Sequence, residues 1–421
     1  MKKQKSIKRI SVSMLFGTYN YNLPPKDQKS DNEKIFILYG DNGSGKTTIL
    51  KLVYHILSND RGAGHKTFVA RTKFQDFKIE FSDGIIVETC RENGSIIGSF
   101  DISIKKGKKT LASYFFLADE NNAVNKETTK GWGESYYFFL DKLGEIVEEL
   151  HFLADDRTIN AGYGRMAENT PEMQYQALLK ASMIKVFDYI SNQAKKGANI
   201  GESNVNTLYE QILERLIQAP VKENKNTKAD TKIIFDRIVN LEKESKKYSQ
   251  YGLMPAFKGK EIMSALKSAP STHFPIIDQV ISPYLESIEA KLDALSVTQQ
   301  TIEIFIKTLR SFMSSKKIQF DISEGIQIFS KKGEPIQPEK LSSGERHLLL
   351  LFCNTITLDR QSLFIIDEPE ISLNIKWQRK LIDSLVKCVR DNPIQYIFAT
   401  HSFEILSKHL ENVVKLEDQE N

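Results

Sequence analysis

Apolar and polar residues alternate through IKRISVSMLF, residues 7–16, which is the spacing of a half-buried strand. EKIFILYG, residues 33–40, is instead a continuous apolar run ending in glycine. That pattern predicts a strand buried on both faces, parallel and central in its sheet. Between Thr72 and Phe116 the alternation returns in two pieces, FQDFKIEFSDGIIVETC and SIIGSFDISIKKGKKTLASYFF, with Asp83-Gly84 and Asn93-Gly94 as turn signals. An antiparallel layer is expected there.

The period changes from about Met173 to Ser314, where apolar residues recur every three or four positions with charges between them. EMQYQALLKASMIKVFDYISNQA, TKIIFDRIVNLEKESKKY and the long run beginning PIIDQVISPYLESIEAKLDAL read as helices of an insertion. The polar stretch APVKENKNTKAD, residues 219–230, reads as an exposed turn between two of them. No segment sustains an a/d heptad long enough for an extended coiled-coil arm, so a short bundle or spur is expected. Strand signals resume at KIQFDIS and GIQIFS. Then SLFIIDEPE and IQYIFATHS flank an amphipathic helix around KWQRKLIDSLVKCV, the alternation of a parallel sheet. The fold class is α/β: a parallel sheet and an antiparallel β layer with a helical insertion.

Composition narrows this little. Of 421 residues, 40% are apolar and 27% charged, an ordinary globular balance, and a net charge of +4 does not by itself argue for nucleic acid. Lys2, Lys3, Lys5, Lys8 and Arg9 crowd the start of the chain, which reads as a solvated end. Cys90, Cys353 and Cys388 stand singly, without the spacing of a zinc site or a disulfide framework. No apolar run has the length of a bilayer span, and a cytoplasmic location without membrane contact is expected.

The chemistry begins at GDNGSGKTT, Gly40 to Thr48, which follows a buried strand and opens the helix TTILKLVYHIL. Such a loop turns backbone amides toward phosphate oxygens, and the positive end of the new helix faces the anion. Gly40, Asn42, Gly43, Ser44, Gly45, Lys46, Thr47 and Thr48 are the candidate nucleotide-binding residues. Lys46 would reach the outer phosphates, and Thr47 would offer its hydroxyl to Mg²⁺, with ATP as the ligand. The plainer alternative is a glycine turn entering a helix.

Asp367 and Glu368 end the apolar run SLFIID, at the edge where parallel sheets bind ligands. Neighbours on a strand point apart, so the two acids are expected to divide the work. Asp367 is the candidate metal ligand and Glu368 the candidate base. A strand cap beside Pro369 is the plainer alternative. His401 ends the last strong strand and is the third catalytic candidate, able to orient water or donate to a γ-phosphate. The other six histidines read as structural or surface groups.

LSSGER, residues 341–346, is a second helix start far along the chain. Ser342, Ser343, Gly344 and Glu345 are candidate nucleotide-contacting residues by the same anion-binding physics. The alternative is a serine N-cap. Both loops do not easily close on one phosphate within a single subunit. A head-to-tail dimer, or a higher homo-oligomer, with ATP between copies resolves this.

The order of these motifs resembles the ABC-type ATPase fold, and the insertion is similar to its SMC and RecF branch. LSSGERHLLLLF, LFIIDEPEISLNIKWQRKLID and FATHS resemble, more narrowly, OLD-like ATPases of antiphage defence, PARIS AriA and Septu PtuA proteins among them. The resemblance implies an ATPase head over residues 1–165 and 316–421 and an insertion over 166–315. It gives Gly43, Gly45, Lys46 and Thr47 nucleotide roles, Ser343 and Gly344 signature roles, Asp367 the metal, Glu368 the base and His401 the switch. Leu373-Asn374 departs from the usual Leu-Asp, and where the resemblance expects a Q-loop glutamine stand Asp155, Asp156 and Arg157, with a charged strand end as the plainer alternative.

Too little sequence follows His401 for a TOPRIM nuclease, so the resemblance implies a separate effector nuclease of TOPRIM or HNH type and a phage protein as trigger. Two other readings stay open: a DNA-repair ATPase that binds DNA, and a scaffold that holds ATP without turnover and sequesters a toxin.

Overall fold

The computed structural model describes residues 5–25, 34–61, 64–92, 94–125, 133–154, 170–218, 227–270, 273–390 and 392–417. The elements run β1 (Ile7–Leu15), β2 (Tyr19–Leu23), β3 (Ile35–Tyr39), α1 (Lys46–Leu57), α2 (His65–Arg71), β4 (Asp76–Phe81), β5 (Ile85–Cys90), β6 (Phe100–Lys106), β7 (Lys109–Phe116), α3 (Glu134–Gly144) and β8 (Glu149–Leu153). The helices α4 (Pro171–Gln218), α5 (Thr227–Ser249), α6 (Gly259–Ser268) and α7 (Phe274–Phe312) follow. The rest comprises β9 (Lys317–Asp321), β10 (Gly325–Phe329), α8 (Ser343–Ile356), β11 (Ser362–Asp367), α9 (Ile375–Val389), β12 (Ile394–Thr400), α10 (Phe403–Leu406) and β13 (Val413–Lys415).

The chain divides into two compact units. The first contains residues 1–178, 342–347 and 358–421. Its parallel sheet has the order β13-β3-β12-β11-β8, and its antiparallel sheet the order β2-β1-β4-β5-β6-β7. β3, β11 and β12 are paired on both sides and read as unbroken apolar runs because neither face meets water. In the antiparallel layer one face is buried and the other is not, so β4 and β5 alternate strictly. Ile10, Val12, Ile79, Val87, Ile102 and Ile104 from this layer share one core with Ile49, Val53, Ile365 and Ile397. The expected α/β class is present: a parallel sheet carrying the glycine loop, an antiparallel layer and a helical insertion.

The second unit contains residues 179–341 and 348–357. Ile238, Leu241, Leu285, Ile288 and Leu292 form its helical core. β9 and β10 make a separate two-stranded antiparallel sheet. Arg237 binds Glu289 through two parallel bonds of 2.7 Å, fastening α5 to α7.

α4 runs unbroken for 48 residues, roughly 70 Å, and ends at Gln218, where the turn was expected to begin. Gly197 lies inside it because a Cβ there would stand 2.8 Å from Ala294 O, so this glycine serves a close approach of two helices. Thr227 to Asp230 begin α5 instead of extending the turn, while residues 219–226 lie outside the described residues. The expected turn at Asp83-Gly84 joins β4 to β5, but a second tight hairpin closes at Gly107-Lys108, within a stretch read as one alternating piece, and β5 and β6 are joined by a longer segment in place of a turn at Asn93-Gly94.

Among the described residues, no helix is long and apolar enough to cross a membrane. The three cysteines are free thiols. Asp155, Asp156 and Arg157, and the expected boundary at 165/166, lie outside the described residues.

Candidate nucleotide site

β3, β12 and β11 are parallel neighbours, with Tyr39 beside Thr400 and Ala399 beside Asp367. Their carboxyl ends therefore bring Gly40, His401, Asp367 and Glu368 to one edge of the sheet. The loop between β3 and α1 follows the anion-cradle pattern. Gly43 and Gly45 adopt φ of 84° and 92°, a left-handed geometry that costs an L side chain about 1–2 kcal/mol. At Gly43 an added Cβ would meet nothing within 4 Å. At Gly45 it would lie 2.8 Å from Leu15 Cδ2 and 3.3 Å from the Phe16 ring. Gly40 is buried against Ser44 and Leu416.

Lys46 opens α1 and is 5% exposed. Its ammonium donates to Gly40 O at 2.8 Å and Asp41 O at 3.0 Å, so it ties the loop to itself and has a third N–H left for a phosphate. Thr47 and Thr48 are half-buried in the first turn of α1, and Asn42 is exposed in the loop. Ser44 Oγ is buried with no hydrogen-bond partner among the described residues, while Ser44 O accepts from Tyr21 Oη at 3.0 Å.

Asp367 is the last residue of β11 and is 1% exposed. Glu368 lies just beyond the strand with φ of 48°, in a left-handed turn, so the strand alternation expected to separate it from Asp367 does not reach it. Its amide still donates to Ala399 O at 2.9 Å. His401 Nδ1 stands 2.5 Å from Glu368 Oε2 and 3.6 Å from Glu370 Oε1. Burial, and then the Glu370 carboxylate, push the Glu368 carboxyl up to about 7, with His401 opposing. Ligand atoms of Glu368, Glu370 and His401 all lie within 4.8 Å of one another, and among the described residues no other cluster of this kind occurs.

The loop tests well against a magnesium nucleotide. Left-handed glycines, a helix start with no acid in its first turn, and an orphaned Ser44 hydroxyl suit phosphate oxygens. A hydroxyl and a carboxylate, without thiols, form a hard donor set suited to Mg²⁺.

The helix start at LSSGER is built as a capping box. Ser342 N donates to Glu345 Oε2 at 2.9 Å, as does Ser342 Oγ, and Glu345 N donates back to Ser342 Oγ at 3.4 Å. Ser342 and Ser343 are exposed, whereas Gly344 and Glu345 are buried. The plainer alternative is thus present for Ser342 and Glu345, which engage each other. A side chain on Gly344 would collide with Ser372 O, in the loop that follows Glu370. His347 Nε2 lies 3.2 Å from Pro369 O in the same loop. Asn374, the departure from Leu-Asp, is the N-cap of α9, its side chain accepting from Trp377 N at 3.1 Å.

A family model described as the AAA ATPase domain matches residues 26–406. The chain belongs to this ATPase family. No curated protein matches it. Among solved structures it is similar to the Smc head domain with an extended coiled coil from Pyrococcus furiosus, bound to the C-terminal domain of ScpA. Identity there is 13%, over 98% of this chain and 94% of that one, with a TM-score of 0.42. It is also similar to an Smc head with a coiled coil and joint from Pyrococcus yayanosii, at 11% identity over 98% and 95% of the two chains and a TM-score of 0.40.

As an ATPase of this family, the chain has two features near its site that were not singled out from sequence. Phe16, with φ of 58° and 42% exposed, stands beside Gly45. Its signal was only a strand residue before a glycine. Glu370 is 5% exposed and reaches the turn after β12. A third acid in DEPE was visible, but nothing in the sequence marks it as buried.

Proposed function

We propose that this chain hydrolyses Mg-ATP at sites completed between two copies. The single observation that carries the reading is the convergence of the Gly40–Lys46 loop, Asp367, Glu368 and His401 at one sheet edge. Backbone amides of the loop and the start of α1 hold the phosphates, and Lys46, placed by Gly40 O and Asp41 O, donates to the outer phosphate oxygens. Thr47 and Asp367 would hold Mg²⁺, which supplies charge neutralisation on the phosphates when bound. Glu368 accepts the proton of the water attacking the γ-phosphate in line, and His401 fixes Glu368 and orients that water. Ser343 and the amides around Gly344 belong to the copy that closes the site, while Ser342 and Glu345 shape that turn.

Light scattering of Glu368→Gln with Mg-ATP tests the pairing, together with phosphate release by the wild-type chain. A dimer that requires ATP and a wild-type chain that turns over support the reading. An ATP-loaded monomer defeats the shared site, and absence of turnover leaves the ATP-holding scaffold.

The finer reading, a regulator of a separate TOPRIM or HNH nuclease in antiphage defence, is supported by the motif resemblance. Co-purification of such a nuclease and its ATP-dependent release test it. ATP-dependent DNA binding with a steep salt slope and no nuclease partner would favour the repair reading.

A further inference from the structure

Glu370 joins two segments of the site that are distant in sequence. Its Oε1 accepts from Thr400 Oγ1, from His401 N at 3.2 Å and from Ser402 N at 3.0 Å. Ser402 N also donates to Thr400 Oγ1 at 2.9 Å, so the turn leaving β12 is closed around one carboxylate oxygen. Glu370 is fixed in turn by its own loop, where Leu373 N donates to Glu370 O at 2.9 Å and Ile371 N to Glu368 O at 3.1 Å. Removing that acceptor would strand the buried Thr400 hydroxyl and free the two amides of the turn.

The His401 side chain is 56% exposed. Packing on so open a ring restrains it little, so its contact with Glu368 depends on where the backbone of residues 400–402 is held. That backbone is held by Glu370.

We propose that Glu370 is a positioning residue for hydrolysis: its buried carboxylate clamps the Thr400–Ser402 turn and thereby sets His401 against Glu368. The proposal rests on the reading of Glu368 as base and His401 as its partner. The clamp needs an acceptor oxygen at Oε1 and not a charge as such, so glutamine preserves it and alanine abolishes it.

Wild type, Glu370→Ala, Glu370→Gln and Glu368→Gln are compared by steady-state ATP turnover and by hydrogen exchange of the peptide spanning residues 400–402. Glu370→Ala is expected to lose at least about tenfold in kcat through misplacement, with KM for ATP within about twofold, and to expose the His401 and Ser402 amides. Glu370→Gln is expected to restore protection and most of the turnover. Unchanged kcat in Glu370→Ala, or restored protection in Glu370→Gln without restored turnover, overturns the proposal. Where Glu370→Ala does not fold, Thr400→Val removes one donor only. Faster exchange at Ser402 with reduced kcat then supports the clamp, and no change in either defeats it. Should Glu368→Gln turn over like wild type, the base assignment fails on its own, and hydrogen exchange still reports whether Glu370 holds the turn.

Discussion

His401 Nδ1 and Glu368 Oε2 are 2.5 Å apart, so one oxygen of the proposed base is already engaged by the proposed switch. Removing the carboxylate charge while keeping the shape should therefore stop proton acceptance and spare the phosphate loop. Glu368→Gln is expected to lower kcat by about 10²–10⁴-fold, the usual contribution of a positioned base. Its ATP dissociation constant should stay close to that of wild type. Phosphate release and titration with a fluorescent nucleotide measure the two effects separately.

Ser342 and Ser343 are adjacent, and it is Ser342 that enters the capping box. Ser342 is one half of the capping box with Glu345, and both serines are exposed at the head of α8. Ser342→Ala should destabilise the helix start by about 0.5–2 kcal/mol, read as a lower urea midpoint. Ser343→Ala should leave that midpoint unchanged and reduce ATP-dependent pairing, read by light scattering. The reverse pattern would assign the nucleotide contact to Ser342.

The strands that carry the site were legible because β3, β11 and β12 are buried on both faces and leave unbroken apolar runs. The sheet edge followed from that, and with it the grouping of Gly40, Asp367 and His401. Less legible was whatever depended on a partner distant in sequence. Gly197 reads as a helix breaker until Ala294 O is found against it. Lys105, Lys106, Lys108 and Lys109 hide the turn at Gly107 because charged residues on both sides resemble the outer face of one strand. Glu370 was missed for the same reason: two of its donors are backbone amides, and amides have no sequence signature.

Gly43 and Gly45 both require positive φ but differ in their surroundings. An alanine at Gly43 meets only backbone strain, about 1–2 kcal/mol. At Gly45 the same change also presses on Leu15 and Phe16. Gly45→Ala should therefore lower the melting temperature more than Gly43→Ala. Both should weaken ATP binding, because the amides that face the phosphates turn with φ. Equal melting temperatures would show that Leu15 and Phe16 yield without cost.

His55 and His65 meet through their Nδ1 atoms at 2.9 Å, between the end of α1 and the start of α2. Lys66 closes this corner by donating to His55 O and Ile56 O, each at 2.9 Å, and to Ser58 O at 3.1 Å. One Nδ1 must donate and the other accept, so the contact is lost when both rings carry a proton on Nδ1. Burial first, then the positive charge of Lys66, lowers His65 to about 4. Burial first, then His65, Lys66 and Lys51, lowers His55 to about 2, while Asp60 opposes only at His65. Both folded values lie below the ordinary 6.5. Between about pH 4 and 6.5 the unfolded chain therefore binds more protons, and stability falls as pH falls, by up to about 1.4 kcal/mol per pH unit for each histidine. The contribution is complete above about pH 6.5, where neither state takes up these protons. His65→Asn, which keeps an amide near the position of Nδ1, should remove one proton from the slope. Urea midpoints of wild type and His65→Asn measured across that range should converge as pH falls, and parallel curves would mean that these rings are not the titrating groups.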